Sequence, residues 1–324
     1  MKIRGFVLAC SLLTASTGWS DSRKIESEDA ATHQISAQGS YGGGIPGSWE
    51  WELGSKRSGE NLTGISAHGL LAVHNLTGLR EHEDAALVAA KSLLRAFDRG
   101  WSKRRPYTQD IEFLAAAGYI VDAGRWFKVT TRRYAPHAYA EMVATGRRQQ
   151  PQLLGWDLAS AIRAALAVGQ VRYARALLGQ AIQRRRSWDR PGPAQALARG
   201  SMLWALGALQ RRGGLDAEQR QLAGQLLRDL LHEQHASGAW RATPGGDALS
   251  TQATAYAVMG LAQWARGKAG AARGRAWLMR VALTDRTFYV GGRFWAAHYT
   301  PAGKPDRRFI SAVQSEAMMA LASN

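Results

Sequence analysis

Cysteine is almost missing: Cys10 is the only one in 324 residues. An internal disulfide framework, a cysteine-ligated zinc site and a thiolate nucleophile are therefore excluded downstream of it. Acidic residues are scarce, 25 Asp and Glu against 42 Lys and Arg, for a formal net charge of +17. No long Pro- or Ser-rich linker divides the chain, which argues for one domain beyond the N-terminal segment. No internal stretch reaches the roughly 20 apolar residues that a membrane span requires. Nucleophile elbows, phosphate loops and dinucleotide fingerprints are absent too, and those chemistries drop out with them.

The first residues have another purpose. Met1–Arg4 is a charged start, Gly5–Ala15 a short apolar run, and small residues near Gly18 and Ser20 suit cleavage before Asp21. Residues 1–20 thus read as a signal peptide, which makes the mature protein secreted or periplasmic. The alternative for this stretch is a buried first helix, and Val7–Cys10 loosely matches a lipoprotein box. Without the leader, 40 basic residues face 25 acidic ones and the charge stays at +15. Such a balance suits either solvated helix faces or attraction to a polyanion such as an acidic polysaccharide. Nucleic acid is not expected for an exported chain without a recognised binding module.

What is abundant is repetition. A helical phrase with a polar or aromatic corner and a run of small apolar residues returns six times, at Asn61–Leu71, Tyr107–Ala116, Gly155–Arg163, Arg199–Leu206, Ser250–Met259 and Phe309–Met318. Aligned on His68, Phe113, Ala161, Trp204, Tyr256 and Glu316, the copies lie 45, 48, 43, 52 and 60 residues apart. That period is one helical hairpin per repeat, and a single hairpin cannot bury its own apolar face. Six can close a ring. The expected fold is all-α, an (α/α)6 toroid over residues 48–324, preceded by an N-terminal segment and Gly-rich loop over 21–47, in which polar residues 21 to about 40 either fray or form one outer helix. The inner helices are the Ala-, Gly- and Ser-rich phrases. The charged outer helices are expected over Glu83–Asp98, Asp122–Arg133, Arg172–Arg186, Asp216–His232 and Ala271–Leu283, with little β-structure between them.

Ser237–Trp240 followed by Asp247–Tyr256 and Gly260–Ala262, and again Gly47–Trp49 followed by Asn61–Gly64, resemble the repeat of the terpenoid-cyclase and protein-prenyltransferase superfamily. The resemblance implies an α/α toroid whose inner helices surround a central cavity. Its chemistry does not carry over. The Asp-x-Asp-Asp acid of the cyclases, the Asp-Asp-x-x-Asp magnesium motif and the zinc-binding cysteine have no counterpart in this sequence. Other exported helical toroids act on acidic polysaccharides, which agrees better with the charge.

Candidate site residues follow from the ring. His68, Tyr256 and Glu316 occupy equivalent repeat positions, so a ring aims them at one volume; with Glu112 they are the candidate catalytic groups. Tyr256 or His68 could act as the base of a lyase, with Arg163 or Arg293 neutralising a uronate. Tryptophans near turns, Trp49, Trp51, Trp156, Trp240 and Trp295, could stack on sugar rings or simply brace neighbouring repeats. Glu50 and Glu52, at alternate positions in an extended loop, should point the same way. Asp110 and Asp157 begin inner helices, where capping alone accounts for them. His298 lies in a late loop near the expected mouth, among the loops and first turns of the inner helices. His232 and His235 lack the spacing of a zinc helix, so no metal or cofactor is expected. The leading reading is a monomeric toroid that binds or cleaves a polysaccharide as lyase or hydrolase. A non-catalytic surface scaffold and a cyclase-like enzyme on an isoprenoid are the alternatives.

Overall fold

The computed structural model describes residues 21–41, 45–58, 62–98, 107–134, 155–284 and 292–323, the side chains of 129–134 excepted. The leader with Cys10, the repeat corner Asn61, and the basic pairs at 104–105 and 147–148 lie outside the described residues. Among the described residues no helix is long and apolar enough to cross a membrane.

Six inner helices carry the six phrases: α2 (Leu62–Thr77), α4 (Thr108–Ala116), α6 (Gly155–Ala167), α9 (Gln195–Gly213), α11 (Thr251–Ala262) and α13 (Ser311–Ala322). Each packs on the next, and α13 returns to pack on α2, so the ring is closed. Nearly every residue of α11 and α13 is buried. That is why these phrases are apolar and small on all faces rather than on one stripe. Small residues let the backbones touch. A Cβ on Gly64 would stand 2.6 Å from Asp110 Cα, one on Gly69 2.7 Å from Ser315 Cα, and one on Gly200 2.5 Å from the Tyr256 carbonyl carbon.

Outside the ring run α3 (Arg80–Asp98), α5 (Ile120–Tyr134), α7 (Val171–Gln183), α10 (Ala217–Glu233) and α12 (Lys268–Val281), with a single turn α8 (Arg185–Trp188) after α7. Their ends differ from the expected bounds by a few residues. In α3 the buried residues Ala85, Ala86, Ala89, Ala90, Leu93 and Phe97 form one helical stripe. Asp216 caps α10 by accepting from the Gln219 amide at 2.8 Å, while Gln219 Oε1 accepts from the Asp216 amide at 3.2 Å.

Among the described residues a further outer helix is α1, residues 21–36. The polar N-terminal segment thus takes the outer-helix form of the two the sequence allowed. Ala30, Ala31, His33 and Gln34 are buried on its inner face. Gln34 Nε2 donates to Ser315 Oγ at 3.2 Å, and Ser315 Oγ donates to the Ser66 carbonyl at 3.0 Å. Head and tail of the chain are thereby tied to one inner-helix contact, and the toroid extends back to about residue 21.

Connections from outer to inner helices are long and hold what sheet there is. β1 (Trp240–Arg241), β2 (Leu249–Ser250) and β5 (His298–Tyr299) form one antiparallel sheet, with Trp240 opposite Ser250 and Leu249 opposite Tyr299; β3 (Leu283–Thr284) pairs with β4 (Arg293–Phe294). Tryptophans anchor these loops by one repeated contact. The indole N–H of Trp49 donates to Gln34 O at 2.7 Å, that of Trp188 to Ala181 O at 2.8 Å, that of Trp240 to Leu230 O at 2.9 Å, and that of Trp295 to Leu278 O at 2.8 Å. Each acceptor lies in the last turn of the preceding outer helix, where carbonyls have no intrahelical partner. The big ring supplies buried area and its N–H satisfies the orphan carbonyl.

Candidate functional site

A cavity of about 410 Å³ opens where the inner helices end. His68 from α2, Glu112 from α4, Arg163 from α6 and Trp204 from α9 form its inner part; Ala115, Ala116, Ile120, Leu166, Ala167, Ala208, Arg211 and Arg212 form its walls and rim. The mouth among the first turns of the inner helices, expected from sequence, is not where this cavity lies. It sits at the opposite end, beside the short inner-to-outer connections. At the long-loop end there is a smaller cleft of about 220 Å³ lined in part by His232, Glu233, Arg241 and Pro244.

Arg163 organises the inner part. Its Nε donates to Glu112 Oε1 at 2.8 Å, its Nη1 donates to Ser201 Oγ at 3.2 Å, and its guanidinium carbon lies 3.8 Å from the centroid of the Trp204 ring. The two charged side chains are 4% and 12% exposed. A guanidinium is always charged and its planar fork suits both a carboxylate and an aromatic face. One cation therefore positions an acid and an aromatic against the same cavity. His68 stands beside Phe113, ring centroids 6.4 Å apart. Burial lowers the His68 pKa, with Glu112 opposing and Arg163 reinforcing the shift, so the ring is neutral near pH 7.

Tyr256 and Glu316 continue the polar circle behind Trp204 and are buried. Trp204 and Tyr256 rings are 6.5 Å apart. Gln252 Nε2 donates to Glu316 Oε1 at 3.0 Å, and the Tyr256 hydroxyl is the carboxyl group's other polar neighbour. Burial raises the Glu316 pKa to about 8, against the lowering effects of Gln252 and Tyr256. Tyr256 is pushed well above the usual phenol range, first by burial and then by the charge of Glu316. A pKa of about 8 favours the protonated form of Glu316 at neutral pH.

The circle of His68, Glu112, Arg163, Tyr256 and Glu316 is assembled from five inner helices. Other sequence candidates fall elsewhere. Trp49, Trp240 and Trp295 are fully buried and their indole N–H groups are occupied with carbonyls; Trp240 also borders the smaller cleft at the long-loop end. Trp51 is exposed, and its backbone carbonyl accepts from Ser311 N at 3.1 Å, which places it at the loop end. Glu50 is turned into its own loop, accepting from the amides of Gly54 at 2.5 Å and Lys56 at 2.7 Å. Glu52 is half-buried, with its backbone bridged to Ile310. The two glutamates therefore do not form a matched pair; the tight turn at Gly54–Lys56 needs an acceptor, and Glu50 supplies it.

Asp110 caps α4, accepting from Tyr107 N at 3.2 Å, and also accepts from Gly64 N of α2 at 3.0 Å. Burial raises its pKa to about 7, with both amides opposing. Trp156 and Asp157 are half-buried at the start of α6. Arg293 pairs with Glu26 of α1 at 3.0 Å, and His298 Nδ1 lies 3.0 Å from Asp306 Oδ2. Trp204, Ser201, Gln252, Arg211 and Arg212 were not singled out from sequence. Trp204 and Gln252 sit in the repeated phrases, one at the aligned position and one a turn before it, and that periodicity could have found them. Among the described residues no group of three His, Cys, Asp or Glu could hold a metal ion.

No family model matches the chain, and no curated protein matches it. Solved structures do. A mutant of the unsaturated glucuronyl hydrolase from Streptococcus agalactiae superposes with a TM-score of 0.61 at 14% identity, covering 93% of this chain and 91% of its own. The unsaturated glucuronyl hydrolase of Bacillus sp. GL1, responsible for the degradation of glycosaminoglycan, gives 0.58 at 16%, covering 92% and 96%. An inactive α-1,6-mannanase variant of Salegentibacter sp. in complex with α-1,6-mannotriose gives 0.54 at 13%, covering 94% and 98%. At such identities the likeness shows the fold: this chain is an all-α toroid of the kind used by these glycosidases.

Proposed function

We propose that this toroid is an exported glycoside hydrolase that binds an acidic saccharide in the cavity at the ends of its inner helices. The observation that carries the reading is Arg163, clamped between the Glu112 carboxylate and the Trp204 ring in a cavity whose rim holds Arg211 and Arg212. Rim arginines suit a uronate carboxylate, and Trp204 offers a flat surface. The glycosidases that share the fold act, by name, on unsaturated glucuronyl substrates and on mannan, which favours hydrolysis over elimination.

Hydrolysis of a glycoside needs one carboxylic acid to protonate the leaving oxygen and one carboxylate to take a proton from the attacking water. Glu112, beside Arg163, has the character of the second. Glu316, held protonated by burial, is not among the lining residues; it stands behind Trp204, with Tyr256 on the helix between, so Glu112 is the one carboxyl group the cavity itself presents. The cyclase-like alternative asks for an apolar cavity with a lone acid, and the three arginines of this lining argue against it.

Incubation with saturated and unsaturated uronides, following reducing ends and the ultraviolet absorbance of the C=C bond together, tests the assignment. Hydrolysis yields reducing ends without new absorbance. New absorbance would instead mark elimination, with Tyr256 or His68 as base. Absence of both product and binding would leave the scaffold reading. Mass measurement of the protein recovered outside the cytoplasm tests export, with a start near Asp21 expected.

A further inference from the structure

The walls of the cavity are not alike. Arg211 and Arg212, in the last turn of α9, make one side cationic; Ala115, Ala116 and Ile120 from α4 and α5, with Leu166 of α6, make the facing side apolar. The apolar side does not stop at the rim. Ile120 is 55% and Val121 86% exposed, and Leu79, in the turn of the neighbouring hairpin at the same end of the ring, is 41% exposed. Single exposed aliphatics are ordinary. Here one of two consecutive exposed aliphatics, Ile120, lines the cavity, and Val121 follows it in the chain just outside the lining. The inward stripe of α5 runs through Ala123 and Phe127, so burying that helix does not call for an aliphatic at Val121.

We propose, on the basis of the function assigned above, that the acidic sugar carries an apolar aglycone, and that this aglycone lies along Ile120 and Val121 while the sugar carboxylate meets Arg211 and Arg212. The charge pattern supports the division. Burial lowers the Arg211 pKa, and the neighbouring Arg212 lowers it further, so an anion at this rim relieves crowding between two cations. A purely polar saccharide would leave the opposite wall wetted and unused. An amphiphilic anion, such as a lipid-linked or aryl-linked uronide, covers both walls at once.

Calorimetric titration of the intact protein with methyl glucuronide, octyl glucuronide and octyl glucoside, below their aggregation thresholds, decides the matter. The octyl glucuronide is expected to bind about tenfold tighter than the methyl compound, the effect of burying a few methylenes. Val121→Ser should erase most of that gain and leave methyl glucuronide binding unchanged, and Ile120→Ser should weaken octyl glucuronide more than methyl glucuronide; Val121 is exposed enough that folding is not at issue. Equal affinity for the two glucuronides, or an octyl gain that survives both substitutions, overturns the aglycone proposal and leaves the acidic-sugar reading standing. Octyl glucoside binding as tightly as octyl glucuronide does the reverse. If none of the three binds, both fall.

Discussion

Arg163 Nε stands 2.8 Å from Glu112 Oε1, joining two neighbouring inner helices through a charge pair that solvent barely reaches. Because each partner is the other's main compensation for desolvation, removing one strands the other. Arg163→Met or Glu112→Gln alone should destabilise the fold by about 3 kcal/mol, and the double substitution by clearly less than the sum. Denaturant unfolding of the four proteins measures the coupling; strict additivity would mean that the pair does not hold the two helices together.

Glu316 makes stability depend on pH in an unusual direction. Its folded pKa of about 8 exceeds the ordinary glutamate value of 4.5, so between those limits the folded state keeps a proton that the unfolded state has lost. The contribution is whole below pH 4.5 and drains away as pH rises to about 8, with a slope near 1.4 kcal/mol per unit. Asp110, raised to about 7, adds a loss of the same sign over a lower window. Glu316→Gln should flatten the upper part of the profile. A variant that keeps the full slope between pH 7 and 8 contradicts the assignment.

The close inner-helix crossings give a contrast between glycines. Gly200→Ala would press a methyl group into the Tyr256 backbone, whereas a Cβ at Gly124 or Gly179, on outer helices, meets nothing within 4 Å. The first substitution should cost about 1–3 kcal/mol and the other two should be neutral or stabilising by about 0.5–1 kcal/mol. Thermal melts of the three variants provide the comparison.

Much of this was readable beforehand. The hairpin period and the closed ring rest on buried small residues, a pattern that local sequence records well; of His68, Tyr256 and Glu316, aimed from sequence at one volume, only His68 lines the cavity. The cavity's end was less legible. Long Gly- and Trp-rich loops drew attention to the starts of the inner helices, yet their tryptophans are spent on orphan carbonyls, and the cavity lies where connections are short. Arg211 and Arg212 look, in sequence, like any basic helix end. Helix α1 was left open between fraying and an outer helix for a related reason: its inner face uses Gln34 and His33 beside alanines, so no apolar stripe decides it.

Trp240 separates the two roles a loop tryptophan can have. Trp240→Phe keeps most of the buried area but leaves the Leu230 carbonyl without its donor, at a cost of about 1–3 kcal/mol. Saccharide affinity should not change. A variant of unaltered stability that loses saccharide binding would place the ring in a sugar site instead.

The most direct test of the account is to titrate the protein with unsaturated glucuronyl disaccharides and follow the release of reducing ends, comparing the native chain with Glu112→Gln and Arg163→Lys. The account predicts that the disaccharide binds, that reducing ends appear as the glycosidic bond is cleaved, and that both variants suppress their appearance while remaining folded. Native protein that neither binds nor consumes any acidic disaccharide, or variants that turn it over as fast as the native chain, would contradict it.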